Sequence, residues 1–255
     1  AVPALIFGVA VGNVLQGVPF RFTEDLHAIY EGTFYGKFLG LLNPFAILTG
    51  LVSFGMLLMH GAAWLVVKTD GVVAERARKI GVWMGLVALA GYAIAGLWLS
   101  FGIDGYAMVG QVVVDGPSNP LHSDVVREGS WLAAYGKRPW IAIAPVLGFL
   151  GMIMAIRGLR SGGEISPLLW SKLGILGVIS SVGLTMFPFI LPSSIHPTSS
   201  LTVWDASSSQ LTLFVMLVST IIFLPIILAY TAWVYRVLWG KVTDDEITSN
   251  SESVY

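Results

Sequence analysis

Cysteine is absent from the 255-residue sequence, and charge is scarce, since only 11% of the residues are Asp, Glu, Lys or Arg. Without cysteine, disulfides, thiolate nucleophiles, zinc–thiolate sites and cysteine-ligated iron–sulfur clusters are excluded. The low charge excludes an ordinary soluble domain, in which about a quarter of residues are charged. The 14 basic and 15 acidic residues form no long block of one sign, so we expect no nucleic-acid partner.

Uncharged apolar sequence is abundant, with 55% hydrophobic residues and a mean hydropathy of +0.79. About 20 such residues in a row can cross a bilayer as a helix that satisfies its own backbone hydrogen bonds. Uncharged runs occupy residues 38–67, 80–103, 139–156, 173–204 and 206–235. A sixth, residues 1–18, has no charged flank and is interpreted as the last part of a longer helix. The sequence predicts an all-α, polytopic transmembrane helical bundle of five complete spanning helices plus one partial N-terminal helix.

The distribution of Lys and Arg predicts the orientation of this bundle in the membrane. If every run crosses, residues 68–79, residues 157–172 and the tail 236–255 lie on one side and hold nine of the 14 basic residues. Cytoplasmic connections carry the excess of Lys and Arg in bacterial membranes. We therefore expect a cytoplasmic C-terminal tail and a long extracytoplasmic loop over residues 104–138.

Small residues four apart in the second run predict a helix-packing face. Gly81 and Gly85 share one face with Ala88 and Ala95, and such faces let membrane helices approach closely. These two glycines are structural or interface candidates. The sequence offers no candidate for a catalytic residue or a metal ligand.

His60 lies inside the first of the five long runs, where a spanning helix is expected. A buried histidine there could ligate haem or relay protons, but a hydrogen-bonded packing role is favoured because the residue lies close to the charged end of its run. His27, His122 and His196 fall in connections, where solvated surface positions are expected and a role in proton uptake stays open.

The segment between the last two runs is rich in Ser and Thr and includes Trp204 and Asp205. Asp205 is predicted to cap the final helix by accepting hydrogen bonds from its first amides. The alternative is a carboxylate in a water-filled proton path or a ligand pocket. Trp204 is predicted to lie at a membrane interface.

Several strings in the connections are specific. They read GNVLQGVPF at 12–20, LLNPF at 41–45, FGIDGY at 101–106, NPL at 119–121, VVRE at 125–128, MFPF at 186–189, PSS at 192–194, SLTVWDA at 200–206 and AYTAW at 229–233. In this order they closely resemble subunit II of cytochrome bd quinol oxidase, over residues 1–255 as a single membrane domain. The family subunit has additional N-terminal chain, so this sequence is expected to be its C-terminal part.

The resemblance implies a subunit of a quinol:oxygen oxidoreductase in the cytoplasmic membrane of a bacterium or archaeon, which oxidises quinol and reduces dioxygen to water. It also implies that haem b and haem d lie in the partner, cytochrome bd subunit I, and that this chain holds no haem, while a bound quinone and a small accessory subunit stay open. The subunit would support assembly, shielding of the haem site, and proton and oxygen access. The alternative is a polytopic solute or ion transporter, suggested by helix number and His60.

Overall fold

The computed structural model describes residues 1–31, 39–109 and 119–242, with seven α-helices in this part of the chain. The helices are α1 (Val2–Gln16), α2 (Pro44–Lys68), α3 (Gly71–Gly102), α4 (Ala133–Lys137), α5 (Ile143–Arg160), α6 (Ile165–Met186) and α7 (Gln210–Val237). Short 3-10 helices occupy Leu39–Leu42, Pro120–His122, Pro139–Ala142 and Pro197–Ser199. Three stretches lie outside the described residues. They are residues 32–38, which include Lys37, residues 110–118 of the predicted loop 104–138, and residues 243–255 of the predicted tail.

Within the described ranges, five helical segments are long and apolar enough to cross a membrane, which confirms the predicted polytopic helical bundle. They are α2, α3, α6, α7 and the segment Pro139–Arg160 that contains α5. The predicted partial N-terminal helix corresponds to α1, a shorter apolar helix of 15 residues.

Two predicted boundaries were wrong. The helix α3 begins at Gly71, so most of the predicted connection 68–79 is helical. The charges end the apolar run but do not end the helix, whose backbone hydrogen bonds continue through Arg76 and Lys79. The run 173–204 combines two elements, because α6 ends at Met186 and is followed by strands β5 (Phe189–Leu191) and β6 (Leu201–Thr202).

Helices α2, α3, α5 and α6 form a four-helix bundle, and α1 packs on the outside of α2. Helices α5 and α6 approach most closely where glycines face glycines. A Cβ atom on Gly151 would lie 2.3 Å from the backbone nitrogen of Gly174, and one on Gly177 would lie 2.2 Å from that of Gly148. Only hydrogen at these positions allows the two backbones to approach so closely, as is typical of membrane helix pairs.

The bundle core contains small and flexible side chains. Met59, Ala63, Ala88, Met152 and Ala155 are completely excluded from solvent. Alanine allows close approach, and methionine fills irregular gaps between helices.

Three two-stranded antiparallel sheets lie in the connections at one end of the bundle. They pair β1 (Phe20–Phe22) with β2 (Ala28–Tyr30), β3 (Ala107–Met108) with β4 (Val125–Val126), and β5 with β6. The connections contact each other, because the amide of Val18 donates to the carbonyl of Pro192 and that of Ser194 donates to Val18. The opposite end carries the short turns 69–70 and 161–164 and the residues after α7.

Candidate functional site

His60 joins two helices of the bundle. Its Nδ1 atom lies 2.8 Å from the hydroxyl oxygen of Ser171 on α6. The Ser171 hydroxyl donates its single hydrogen to the carbonyl oxygen of Leu168, 2.9 Å away, so it accepts from Nδ1–H of His60. In this arrangement the His60 ring carries a proton on Nδ1, and the hydrogen bond agrees with a packing role.

Gly81 and Gly85 lie where α3 meets both α2 and α5. A Cβ atom on Gly81 would lie 2.9 Å from Ala62 Cβ and 2.9 Å from Leu159 Cδ1. One on Gly85 would lie 2.7 Å from Ile156 Cγ1. Both glycines therefore occupy the interior contact line of the bundle, where a larger side chain would push helices apart.

Asp205 does not cap the final helix, so that prediction was wrong. The N-cap of α7 is Ser209, whose hydroxyl oxygen accepts from the amide of Thr212. An N-cap side chain reaches only the first turn, and Asp205 precedes the first helical residue, Gln210, by more than one turn. The Asp205 carboxylate instead accepts hydrogen bonds from Thr202 at 2.5 Å and from Ser123 at 3.2 Å, which ties two connections together.

The remaining predicted residues lie in the connections. Trp204 packs edge-on against Phe187, with ring centroids 6.1 Å apart. His27 and His196 are exposed, as expected for residues outside the helices. The side chain of His122 lies outside what the structure describes.

Buried hydroxyls explain the Ser and Thr content of the segment before α7. Ser193, Ser199, Ser200 and Thr202 are almost completely buried. The Ser200 hydroxyl oxygen accepts from the Ser193 amide at 2.9 Å, and the Ser193 hydroxyl donates to the carbonyl of Phe20. In a segment with short strands, these side chains satisfy backbone groups that a longer ladder would otherwise pair.

An aromatic cluster closes the same end of the bundle. The indole N–H of Trp131 donates to the carbonyl of Leu15 at 2.9 Å, and this bond satisfies an acceptor in the last turn of α1. The rings of Tyr106 and Phe189 lie 5.6 Å and 6.0 Å from that of Trp131. Burial raises the pKa of the Tyr106 phenol, although the nearby Arg127 guanidinium opposes this effect.

A large cavity lies in the apolar part of the bundle, with a volume of about 1160 Å³. Residues from all of the helices α1 to α6 line it. Two pairs of hydroxyls contribute to its lining: the hydroxyl oxygen of Tyr92 lies 2.7 Å from that of Ser181, and the hydroxyl oxygen of Tyr135 lies 2.8 Å from that of Thr185. Sequence reasoning missed these pairs because the residues are uncharged and far apart along the chain.

No charged residue and no histidine lines this cavity in the part of the chain that the structure describes. The cavity therefore fits a long apolar molecule with a weakly polar head, such as an isoprenoid quinone. Within the described ranges, no group of three His, Cys, Asp or Glu side chains could hold a metal ion.

The final helix α7 has no buried residue along its 28 residues. It is attached to the bundle at its C-terminal end, where the Lys241 ammonium donates to Glu164 at 2.7 Å and to Asp70 at 2.9 Å. The Lys68 ammonium also donates to the carbonyl of Leu238 at 2.6 Å. We call these contacts the clasp. The hydrogen bonds to Glu164 and then Asp70 raise the pKa of Lys241 above its ordinary value.

The comparison with known families decides what kind of protein has this arrangement. The family described as cytochrome bd terminal oxidase subunit II matches residues 1–238. The chain belongs to this family.

Curated relatives of this subunit II chain support the assignment over its whole length. It is 42% identical over 255 residues to cytochrome bd-I ubiquinol oxidase subunit 2 of Escherichia coli strain K12, which covers all of the chain and 66% of that relative. It is 39% identical over the same length, with the same coverage, to the probable cytochrome oxidase subunit 2 of Haemophilus influenzae. Identity to cytochrome bd ubiquinol oxidase subunit 2 of Bacillus subtilis is 24% over 246 residues, or 96% of the chain and 62% of that relative.

The chain therefore spans about two thirds of the length of the first two relatives. The matched region contains helices α1 to α7, the hydroxyl-rich segment and every residue of the clasp except Lys241. The family match accordingly applies to the cavity, the aromatic cluster and α7 alike.

Proposed function

We propose that this chain is the non-haem subunit of a bd-type terminal oxidase that couples quinol oxidation to the reduction of dioxygen to water. The observation that carries this proposal is the 42% identity over all 255 residues to a ubiquinol oxidase subunit 2. Haem b and haem d are then held by subunit I, as the family resemblance implies.

Its role in the complex is assembly and shielding. Helix α7 presents apolar side chains around its whole circumference, and Phe214, Ile221 and Ile227 are each more than half exposed. A helix that is apolar all round is buried either in lipid or against other helices. We therefore propose that α7 contributes to the surface that meets subunit I and keeps water away from the haem site, and that proton and oxygen access depend on this surface.

The cavity is the proposed site for a bound quinone. The surrounding apolar side chains can hold an isoprenoid chain. The hydroxyls of Ser181 and Thr185 donate to backbone carbonyls, so the hydroxyls of Tyr92 and Tyr135 donate to them, and a tyrosine must turn its O–H away from this partner to donate to a quinone oxygen. A bound quinone here is a structural group, because the described residues place no titratable carboxylate or histidine beside it.

The functional proposal is tested by purifying the complex through a tag on this chain. We expect a copurified haem protein with b-type and d-type absorption, and quinol-dependent oxygen uptake that is lost when the chain is deleted. Isolation of a haem-free chain, with oxygen uptake unchanged by the deletion and transport of a solute lost, would contradict the proposal and favour a transporter.

The proposed orientation places the tail 236–255 and the turn 161–164 in the cytoplasm, and the loop 104–138 outside. Because the chain has no cysteine, single cysteines give a clean test. In intact spheroplasts, a membrane-impermeant maleimide should label Glu128→Cys and not Ser161→Cys, both of which replace exposed residues. The reverse pattern would contradict the orientation, and permeabilised cells, in which both variants should react, provide the control.

A further inference from the structure

A groove at the clasp end of the bundle combines positive charge with an apolar wall. It lies between α3 and α5 and has a volume of about 340 Å³. Its charged residues are Arg78, Lys79 and Arg160, opposed by Glu75. Three cations and one carboxylate leave the groove with a net positive charge, in a chain whose formal net charge is −1.

These cations have no ion-pair partner in the part of the chain that the structure describes. Among the described residues, no carboxylate lies within 4 Å of the charged nitrogens of Arg78, Lys79 or Arg160. Arg78 is oriented by a hydrogen bond of 2.7 Å from Nη1 to the carbonyl of Gly163 in the next turn. A guanidinium has five N–H donors, so the others stay available to an anion in the groove.

The apolar wall continues from the cations towards the middle of the helices. Val82, Trp83 and Leu159 line it, and Trp83 is 67% exposed. Trp83 follows Lys79 by four residues, which is about 6 Å along the helix axis and places its ring on the same side. Tryptophan at such a position is typical of the level at which lipid headgroups meet acyl chains.

We propose that this groove binds the phosphate of an anionic phospholipid, with the acyl chains along Val82 and Trp83. Unpaired Arg and Lys supply the charge-assisted hydrogen bonds that a phosphate accepts, and basic pockets between membrane helices bind acidic headgroups in this way. A soluble phosphate would use the cations but gain nothing from the exposed apolar wall. The inference requires the membrane location in the proposed function, but it does not require oxidase activity.

The test uses the intact complex in nanodiscs that contain phosphatidylcholine with a minor fraction of phosphatidylglycerol, followed by native mass spectrometry. The variant is Lys79→Gln with Arg160→Gln, and Arg78 is left unchanged because it holds Gly163. The matched control is Lys172→Gln, an exposed cation at a similar depth on α6 that does not line the groove. Each removed cation should lower retained phosphatidylglycerol about fivefold, and the control should retain the wild-type amount.

Three results would overturn the proposal. These are equal retention of phosphatidylglycerol by the double variant and the wild type, equal retention of phosphatidylcholine and phosphatidylglycerol by the wild type, and displacement of the lipid by millimolar inorganic phosphate. If the double variant does not assemble, the last two measurements on the wild type decide the question. A complex that loses haem or oxidase activity but keeps the lipid contradicts the proposed function alone.

Discussion

Replacing Gly177 by alanine should separate α5 from α6, although the substitution adds a single methyl group. The added Cβ atom would lie 2.2 Å from the backbone nitrogen of Gly148 and 2.7 Å from the carbonyl carbon of Leu147. Ordinary contact starts at 3.4 Å, so the two backbones have to move apart by roughly 1 Å over that contact. Backbone atoms cannot avoid the methyl group by changing rotamer, so the strain cannot be relieved locally.

We expect this strain to lower the free energy of unfolding by about 1–3 kcal/mol, which is typical of overpacked contacts. Gly183→Ala is the matched control on the same helix, because a Cβ atom there meets nothing within 4 Å. In a helix interior the control should be neutral or stabilising by up to about 1 kcal/mol, since alanine has the higher helix propensity. The two variants should therefore differ by about 1–4 kcal/mol although they carry the same substitution.

The difference can be measured as thermal stability of the complex in a mild detergent, by fluorescence-detected size exclusion after heating. Gly177→Ala should lose the complex at a clearly lower temperature than Gly183→Ala and the wild type. Equal midpoints for the two variants would refute the inference that close backbone contact between α5 and α6 stabilises the bundle.

Three further predictions concern polar contacts. Ser209→Ala should lower the free energy of unfolding by about 1 kcal/mol because it removes the cap of the final helix. Asp205→Ala should instead loosen the hydroxyl-rich connections. Hydrogen exchange in residues 187–209 distinguishes the two variants, because it should be faster in Asp205→Ala. Ser171→Ala should destabilise the bundle by about 1–3 kcal/mol because it leaves the buried-side nitrogen of His60 without its acceptor, and an unchanged melting temperature would contradict this assignment. Lys241→Gln should speed exchange after the final helix. In the wild type the pKa of Lys241 is raised, so the lysine stays charged in the clasp as the pH rises to the ordinary pKa of a lysine. The stability that Lys241 gives the clasp should be lost only when the alkaline pH passes the raised pKa of the folded protein.

The sequence alone predicts the number and approximate position of the spanning helices, because a lack of charge over some 20 residues has one physical explanation in a bilayer. Helix ends are less predictable. The charges of residues 75–79 mark the edge of the apolar layer, but α3 starts earlier because headgroups and water accept a charged helical turn. The run 173–204 contains no charge to show where α6 ends and the buried hydroxyl segment starts.

The contacts between helices could not be read from the sequence. Gly81 and Gly85 have a spacing that indicates a packing face, but the pairs Tyr92–Ser181 and Tyr135–Thr185 depend on how each helix is rotated about its axis. The same holds for Asp205, since the order of residues suggested a cap and the fold brings its carboxylate to Ser123 instead. The functional proposal came from resemblance in the connections rather than from any catalytic residue.

The attachment of α7 has a consequence for the life of the protein in the cell. A whole span that buries none of its residues and is tied to its own bundle by the clasp at its C-terminal end cannot find its final position by packing against that bundle. A newly inserted copy without its partner subunit would leave the apolar helix α7 uncovered and accessible to membrane proteases. Degradation would then remove subunits in which α7 stays uncovered, and the amount of this protein would depend on the amount of the partner that covers α7.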